Sequence, residues 1–205
     1  MTSSGESGII KSITIEDFDL IVGKDFISKE CRDVIFDTLK KQGVSHVYDE
    51  IRIINLPADK EGKIEPMRTN VEYSPGYPKV YYEINAAFFN GRSKEQIDKA
   101  LKVQTYSVVN SLEEAVIHES GHAKVIRGKR YSEFEAINEE LKGDIFTQPI
   151  KSRDDNKSLK DLAGEISKYA QSDGLECISE CHVKLQRGEY IPDELKAFHD
   201  KYTGG

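Results

Sequence analysis

No stretch of this 205-residue chain is long and apolar enough to cross a bilayer, which argues against a helical membrane anchor. The first residues, Met1-Thr2-Ser3-Ser4-Gly5-Glu6-Ser7-Gly8, lack the basic-then-apolar order of a Sec-type signal peptide. Cysteine is scarce, and three thiols cannot all pair within one chain, which fits a reducing compartment better than secretion. Positive charge is in deficit as well. A formal net charge of −7 offers no general attraction to nucleic acid or to an anionic membrane. No internal repeat recurs. The expectation is therefore a cytoplasmic protein, or one delivered by injection or within a virion, with neither nucleic acid nor membrane as partner.

What is present suffices for a folded domain with a sizeable core. Residues 1–12 read as a flexible N-terminus and residues 13–205 as a single domain. Ser28 to Lys41 reads as a helix, with Gly43 just past its end. Val47–Leu56 and Lys79–Phe89 are rich in β-branched and aromatic residues and read as strands. Between them residues 57–78 hold Pro57, Pro66, Pro75 and Pro78 and read as a long loop. From residue 93 the pattern is helical almost throughout. Helices are expected at Ser93–Tyr106, Leu112–Arg127, Ser132–Leu141, Ser158–Ala170, from Ser172 to near Gly188, and from Pro192 to Tyr202. Residues Lys151–Lys157 are expected to form a charged loop. The expected class is α+β, a small sheet in the N-terminal half and a mostly helical C-terminal half.

The chemistry-bearing segment is His118-Glu119-Ser120-Gly121-His122. Two histidines four residues apart share one helix face, about 6 Å apart along the axis, and can converge on one metal ion. Glu119 between them can reach a metal-bound water and take its proton. Helical geometry places Leu112, Ala115, Val116, Ala123 and Ile126 on one apolar arc with Glu119 near its centre. An unpartnered carboxylate there would be costly; a bystander would sit on the arc of Glu113, Ser120 and Lys124. A third ligand is still needed, because Val125 and Gly128 stand where an extended His-Glu-xx-His-xx-Gly-xx-His motif has Gly and His. His182, His199, Asp144, Glu165 and Asp173 are candidates. The best is Glu176, in Asp173-Gly-Leu-Glu176-Cys-Ile-Ser-Glu180, where Glu176 and Glu180 share a helix face. One can bind the metal while the other orients a ligand histidine. Cys177 and Cys181 are expected to pack as small apolar groups.

The pair HESGH and ECISE resembles the zincin metallopeptidases whose third ligand is a downstream glutamate. It is most similar to the anthrax lethal factor type and to zincin-like domains of phage head proteins and injected toxins. The resemblance covers roughly Ser111 to Arg187 and implies zinc bound by His118, His122 and Glu176, with Glu119 as general base. It also implies that Tyr169, seven residues ahead of Glu176, stabilises the oxyanion, and it offers Lys79–Phe89 as a strand that pairs with an extended substrate, with a buried central strand as the equal alternative. Under this reading residues 13–205 form one zincin-like domain acting on a protein or peptide, with a possible phage or toxin assembly partner. The competing expectation is a zincin-fold structural or interaction protein whose zinc is not used for proteolysis.

Overall fold

The computed structural model describes residues 11–13, 27–58, 64–73, 78–126, 129, 131–143 and 157–204. The chain is α+β and divides into two compact units, Met1–Asp98 and Lys99–Gly205, within the stretch read from the sequence as one domain. Of the expected flexible N-terminus, residues 1–10 lie outside the described residues, while Lys11 and Ser12 belong to a short strand.

The first unit holds a small mixed sheet. Its strands are β1 (Lys11–Ile13), β2 (Glu50–Ile54), β3 (Met67–Glu72) and β4 (Lys79–Asn85), in the order β1-β2-β4-β3. β2 runs parallel to β4; the β1–β2 and β3–β4 pairs are antiparallel. Register and the two-residue period put Ile51, Ile53, Met67, Val80, Tyr82 and Ile84 on one face, all buried. On the other face Glu83 is buried, yet it accepts hydrogen bonds from Arg68 Nε at 2.7 Å and Asn70 Nδ2 at 3.1 Å, which offset its desolvation. Helix α1 (Lys29–Lys41) begins where Ser28 Oγ accepts from Cys31 N at 3.3 Å, and Gly43 follows it at φ +69°.

Two expectations are corrected in this unit. The proline-rich stretch 57–78 contains β3, whose Met67, Thr69 and Val71 alternate against β4. The strand expected over Lys79–Phe89 stops at Asn85, whose side chain accepts from Ala87 N and opens a short helix α2 (Ala86–Phe89). β4 is also a central strand, hydrogen-bonded on both sides by β2 and β3. Its backbone groups are already paired, so of the two readings of this strand the buried central one holds, and it has no open edge to which a substrate could add.

Helix α3 (Lys94–Lys102) opens with a reciprocal cap: Ser93 N donates to Gln96 Oε1 at 2.9 Å and Gln96 N to Ser93 Oγ at 3.3 Å. It ends short of Tyr106. The second unit continues with α4 (Leu112–Ile126), α5 (Tyr131–Lys142), α6 (Leu159–Ile166), α7 (Gly174–Gln186) and α8 (Asp193–Thr203). Ser132 lies inside α5 rather than capping it. Ser158 and Asp161 form the capping box of α6, but the helix ends at Ile166 because Ser167 is extended, at φ −166°. The cap of α7 is Asp173, not Ser172; its carboxylate accepts from Leu175 N at 2.8 Å. Much of the charged loop expected at Lys151–Lys157 lies outside the described residues.

Helices α4 and α7 pack side by side, and α7 also packs on α5 and α8. Two glycines permit these approaches. A Cβ at Gly121 on α4 would fall 2.8 Å from Ser179 Cα on α7, and one at Gly174 would fall 2.9 Å from the Ile137 carbonyl oxygen on α5. Among the described residues no helix is long and apolar enough to cross a membrane.

Candidate metal centre

α4 is positioned from its first turn. Ser111 Oγ accepts from Glu114 N at 3.2 Å. The Glu114 carboxylate accepts from Asn110 N at 2.6 Å and from Arg187, which also donates to the Val108 carbonyl at 2.5 Å. The connection leading into α4 is thereby tied to the end of α7.

His118, Glu119 and His122 form a buried group whose ligand atoms all lie within 4.8 Å of one another, and this group could hold a metal ion. A further partner for the two imidazoles comes from α7. Glu176 Oε2 lies 3.1 Å from His118 Nε2 and 3.4 Å from His122 Nε2, and the two Nε2 atoms are 3.2 Å apart. These three atoms make a nearly equilateral triangle. Glu119 is not at its corners. Glu119 is itself buried beside the triangle, with a carboxylate oxygen within 4.8 Å of a ring nitrogen of each histidine.

The electrostatics of the triangle have one sense. Burial opposes charge on His118, but Glu176 and Glu180 outweigh it and hold the imidazole well above its ordinary pKa. Burial likewise opposes charge on His122, and Glu176 raises it. Burial would raise Glu176, yet His122 and His118 draw it far below the usual carboxylate range. Each shift reports that positive charge between these corners is favourable. The His122 and Glu176 side chains are 11 % and 20 % exposed, so this edge of the triangle is less fully covered than His118.

Glu180 lies behind His118 rather than at the triangle. Its Oε1 is 3.2 Å from His118 Nδ1, an oblique approach that leaves Nδ1 without a well-aligned hydrogen bond. The same carboxylate accepts from Ser107 Oγ at 2.6 Å, Val108 N at 2.8 Å and Ser167 Oγ at 2.7 Å. Tyr169 occupies the turn between α6 and α7, not a helix. Its ring stacks on His118 with centroids 5.8 Å apart and planes 14° apart, and meets Tyr106 edge-on at 5.6 Å.

The remaining ligand candidates are occupied elsewhere. Asp173 caps α7. Glu165 pairs with Lys157 at the surface. His182 and His199 face each other, Nδ1 to Nε2 at 3.1 Å, within a separate buried pair. Asp144 lies outside the described residues. Cys177 and Cys181 are free and fully buried, as small apolar groups would be.

Two readings of helix faces need correction. Ser120, expected on an outer arc of α4, is fully buried and donates to the Val116 carbonyl at 2.7 Å. Glu176 and Glu180 do point away from the Leu175, Ile178 and Leu185 arc, but α4 covers that side, so Glu180 is buried rather than solvated. Ser107, Val108 and Ser167 carry no sequence signal that marks them. They lie 72–73 and 13 residues from Glu180, and only the fold assembles them.

Comparison with known proteins finds no matching family model, curated protein or solved structure.

Proposed function

We propose that the chain is a zinc-dependent endopeptidase of the zincin kind, with His118, His122 and Glu176 as the metal ligands. The observation that carries this reading is the donor triangle of 3.1, 3.2 and 3.4 Å. Ligand atoms held at about 2.0–2.1 Å by a tetrahedral zinc are spaced about 3.3 Å apart, so the corners need little adjustment. Two imidazoles and one carboxylate are also a donor set suited to zinc with an open fourth position.

Zinc in this site would polarise a scissile carbonyl and acidify the attacking water. Glu119, buried beside the triangle, would be the general base toward that water and the carrier of its proton to the leaving amine. Glu180 braces His118 from behind, so the imidazole presents Nε2 to the triangle. Tyr169, stacked on His118, would supply a hydroxyl to the developing oxyanion. The substrate class is a protein or peptide. A phage or toxin assembly partner and a cytoplasmic or delivered location belong to the same proposal.

The test is zinc content of the purified chain, together with cleavage of protein substrates by wild type and by Glu119→Gln. The reading is wrong if both forms cleave equally or if neither binds zinc. Stoichiometric zinc, an intact fold and no loss of biological role in Glu119→Gln would instead make the protein a structural or interaction component.

A further inference from the structure

Glu180 is buried completely, and both of its oxygens have partners. A carboxylate taken out of water at this depth is costly unless such partners are fixed. Here the hydrogen-bond donors come from two places, the connection before α4 and the extended residue after α6, and His118 Nδ1 on α4 lies 3.2 Å from Oε1.

The two serine hydroxyls have their directions determined. Ser107 Oγ accepts from Val109 N at 3.1 Å, which leaves its proton for Glu180 Oε1 at 2.6 Å. Ser167 Oγ accepts from Ala170 N at 2.8 Å, which leaves its proton for Glu180 Oε2 at 2.7 Å. Each hydroxyl is an oriented donor rather than a free rotor. Val108 N completes the cage at 2.8 Å. The same two segments are joined by Tyr169 N donating to the Tyr106 carbonyl at 3.0 Å. Neither serine is a corner of the triangle, and each reaches it through Glu180.

We infer that Ser107 and Ser167 are positioning residues of the metal centre, holding Glu180 so that it fixes the His118 ring with Nε2 toward Glu176 and His122. The inference rests on the metal-site reading above. It assigns a role to two loop residues that touch neither metal nor substrate. Loss of an outer partner of a ligand typically lowers metal affinity by about 10–100-fold.

The experiment is zinc affinity by chelator competition on the full chain: wild type, Ser107→Ala, Ser167→Ala, the double variant, and Ser107→Thr. The cobalt(II) absorption spectrum is recorded for each, because it reports ligand geometry rather than stability. Each single alanine should weaken zinc binding by about 10-fold and the double by about 100-fold, with an altered cobalt spectrum. Ser107→Thr, which keeps the hydroxyl, should restore both. Unchanged affinity and spectrum in the double variant, with only a lower melting temperature, would overturn the inference and leave the metal site standing. No zinc uptake by folded wild type would overturn the metal reading and the inference with it. Should the double variant fail to fold, the single variants carry the measurement, since each keeps one hydroxyl and the Val108 amide.

Discussion

Gly121 and Ser179 meet across α4 and α7 so closely that a Cβ at residue 121 would fall 2.8 Å from the Ser179 Cα and 2.9 Å from its Oγ. The first obstacle is backbone, so no rotamer change clears it. This approach sits within one helical turn of both His118 and Glu176.

Gly121→Ala should therefore destabilise the chain although alanine is the better helix former. Propensity favours alanine by about 1 kcal/mol, while overpacking costs about 1–3 kcal/mol. Pushing the helices apart should also lower zinc affinity. Urea unfolding and chelator competition measure the two effects; unchanged values in both would show that the contact does not set the ligand spacing.

Glu176→Ala removes one corner of the triangle. Zinc affinity should fall by more than the roughly 10–100-fold that an outer partner costs. Glu180→Gln, by contrast, should fall within that range. Equal losses in the two variants, read by isothermal titration, would contradict the division of labour between the glutamates.

Glu119→Gln should keep zinc and the fold while losing about 10²–10⁴-fold in turnover. Metal content and peptide cleavage are measured on the same sample. A variant that loses zinc instead would make Glu119 a ligand.

Tyr169→Phe keeps the ring stacked on His118 and removes only the hydroxyl. Turnover should drop by about 10²–10³-fold, the loss expected for one oxyanion donor, with metal affinity unchanged. Full activity in this variant would restrict Tyr169 to packing.

The buried pair on α7 and α8 makes stability depend on acid. His199 Nδ1 lies 2.8 Å from Asp200 Oδ1, and the His182 and His199 rings stack with planes 14° apart. Burial, then Lys124 and His199, push His182 down to about 3, and burial lowers His199 too. In the unfolded chain histidine titrates near 6.5. Between pH 6.5 and 3 the unfolded state therefore binds more protons, and stability falls as the pH drops. Its full contribution is present above about pH 6.5. His182→Gln, studied metal-free, should lose less stability than wild type between pH 7 and pH 4, a difference on the order of a few kcal/mol.

The local parts of this structure are written in local sequence. Ser28, Ser93 and Ser158 mark three helix starts through side chains that reach only three residues forward. The HESGH spacing brings two imidazoles together by helical period alone. Where two signals compete, as with the adjacent Ser172 and Asp173, backbone conformation decides which one caps. β3 has the alternation of a strand in Met67, Thr69 and Val71, but it lies among prolines that read as loop. The burial of Glu180 could not be read from its own helix, because the surface that covers it belongs to α4. Its serine partners were beyond reach for the same reason, since a loop serine gains meaning only from the distant group it faces.

The triangle has a consequence for the chain as a polymer. Its histidine and glutamate corners are 58 residues apart in sequence, so an ion bound there would be a reversible cross-link closing a long loop. Such a link would draw part of its strength from the entropy it removes from the unfolded chain. The same ion would stabilise the native state by about 2.7 kcal/mol at one hundred times its dissociation constant. Free zinc concentration would then set the stability of the folded protein as well as the occupancy of the site.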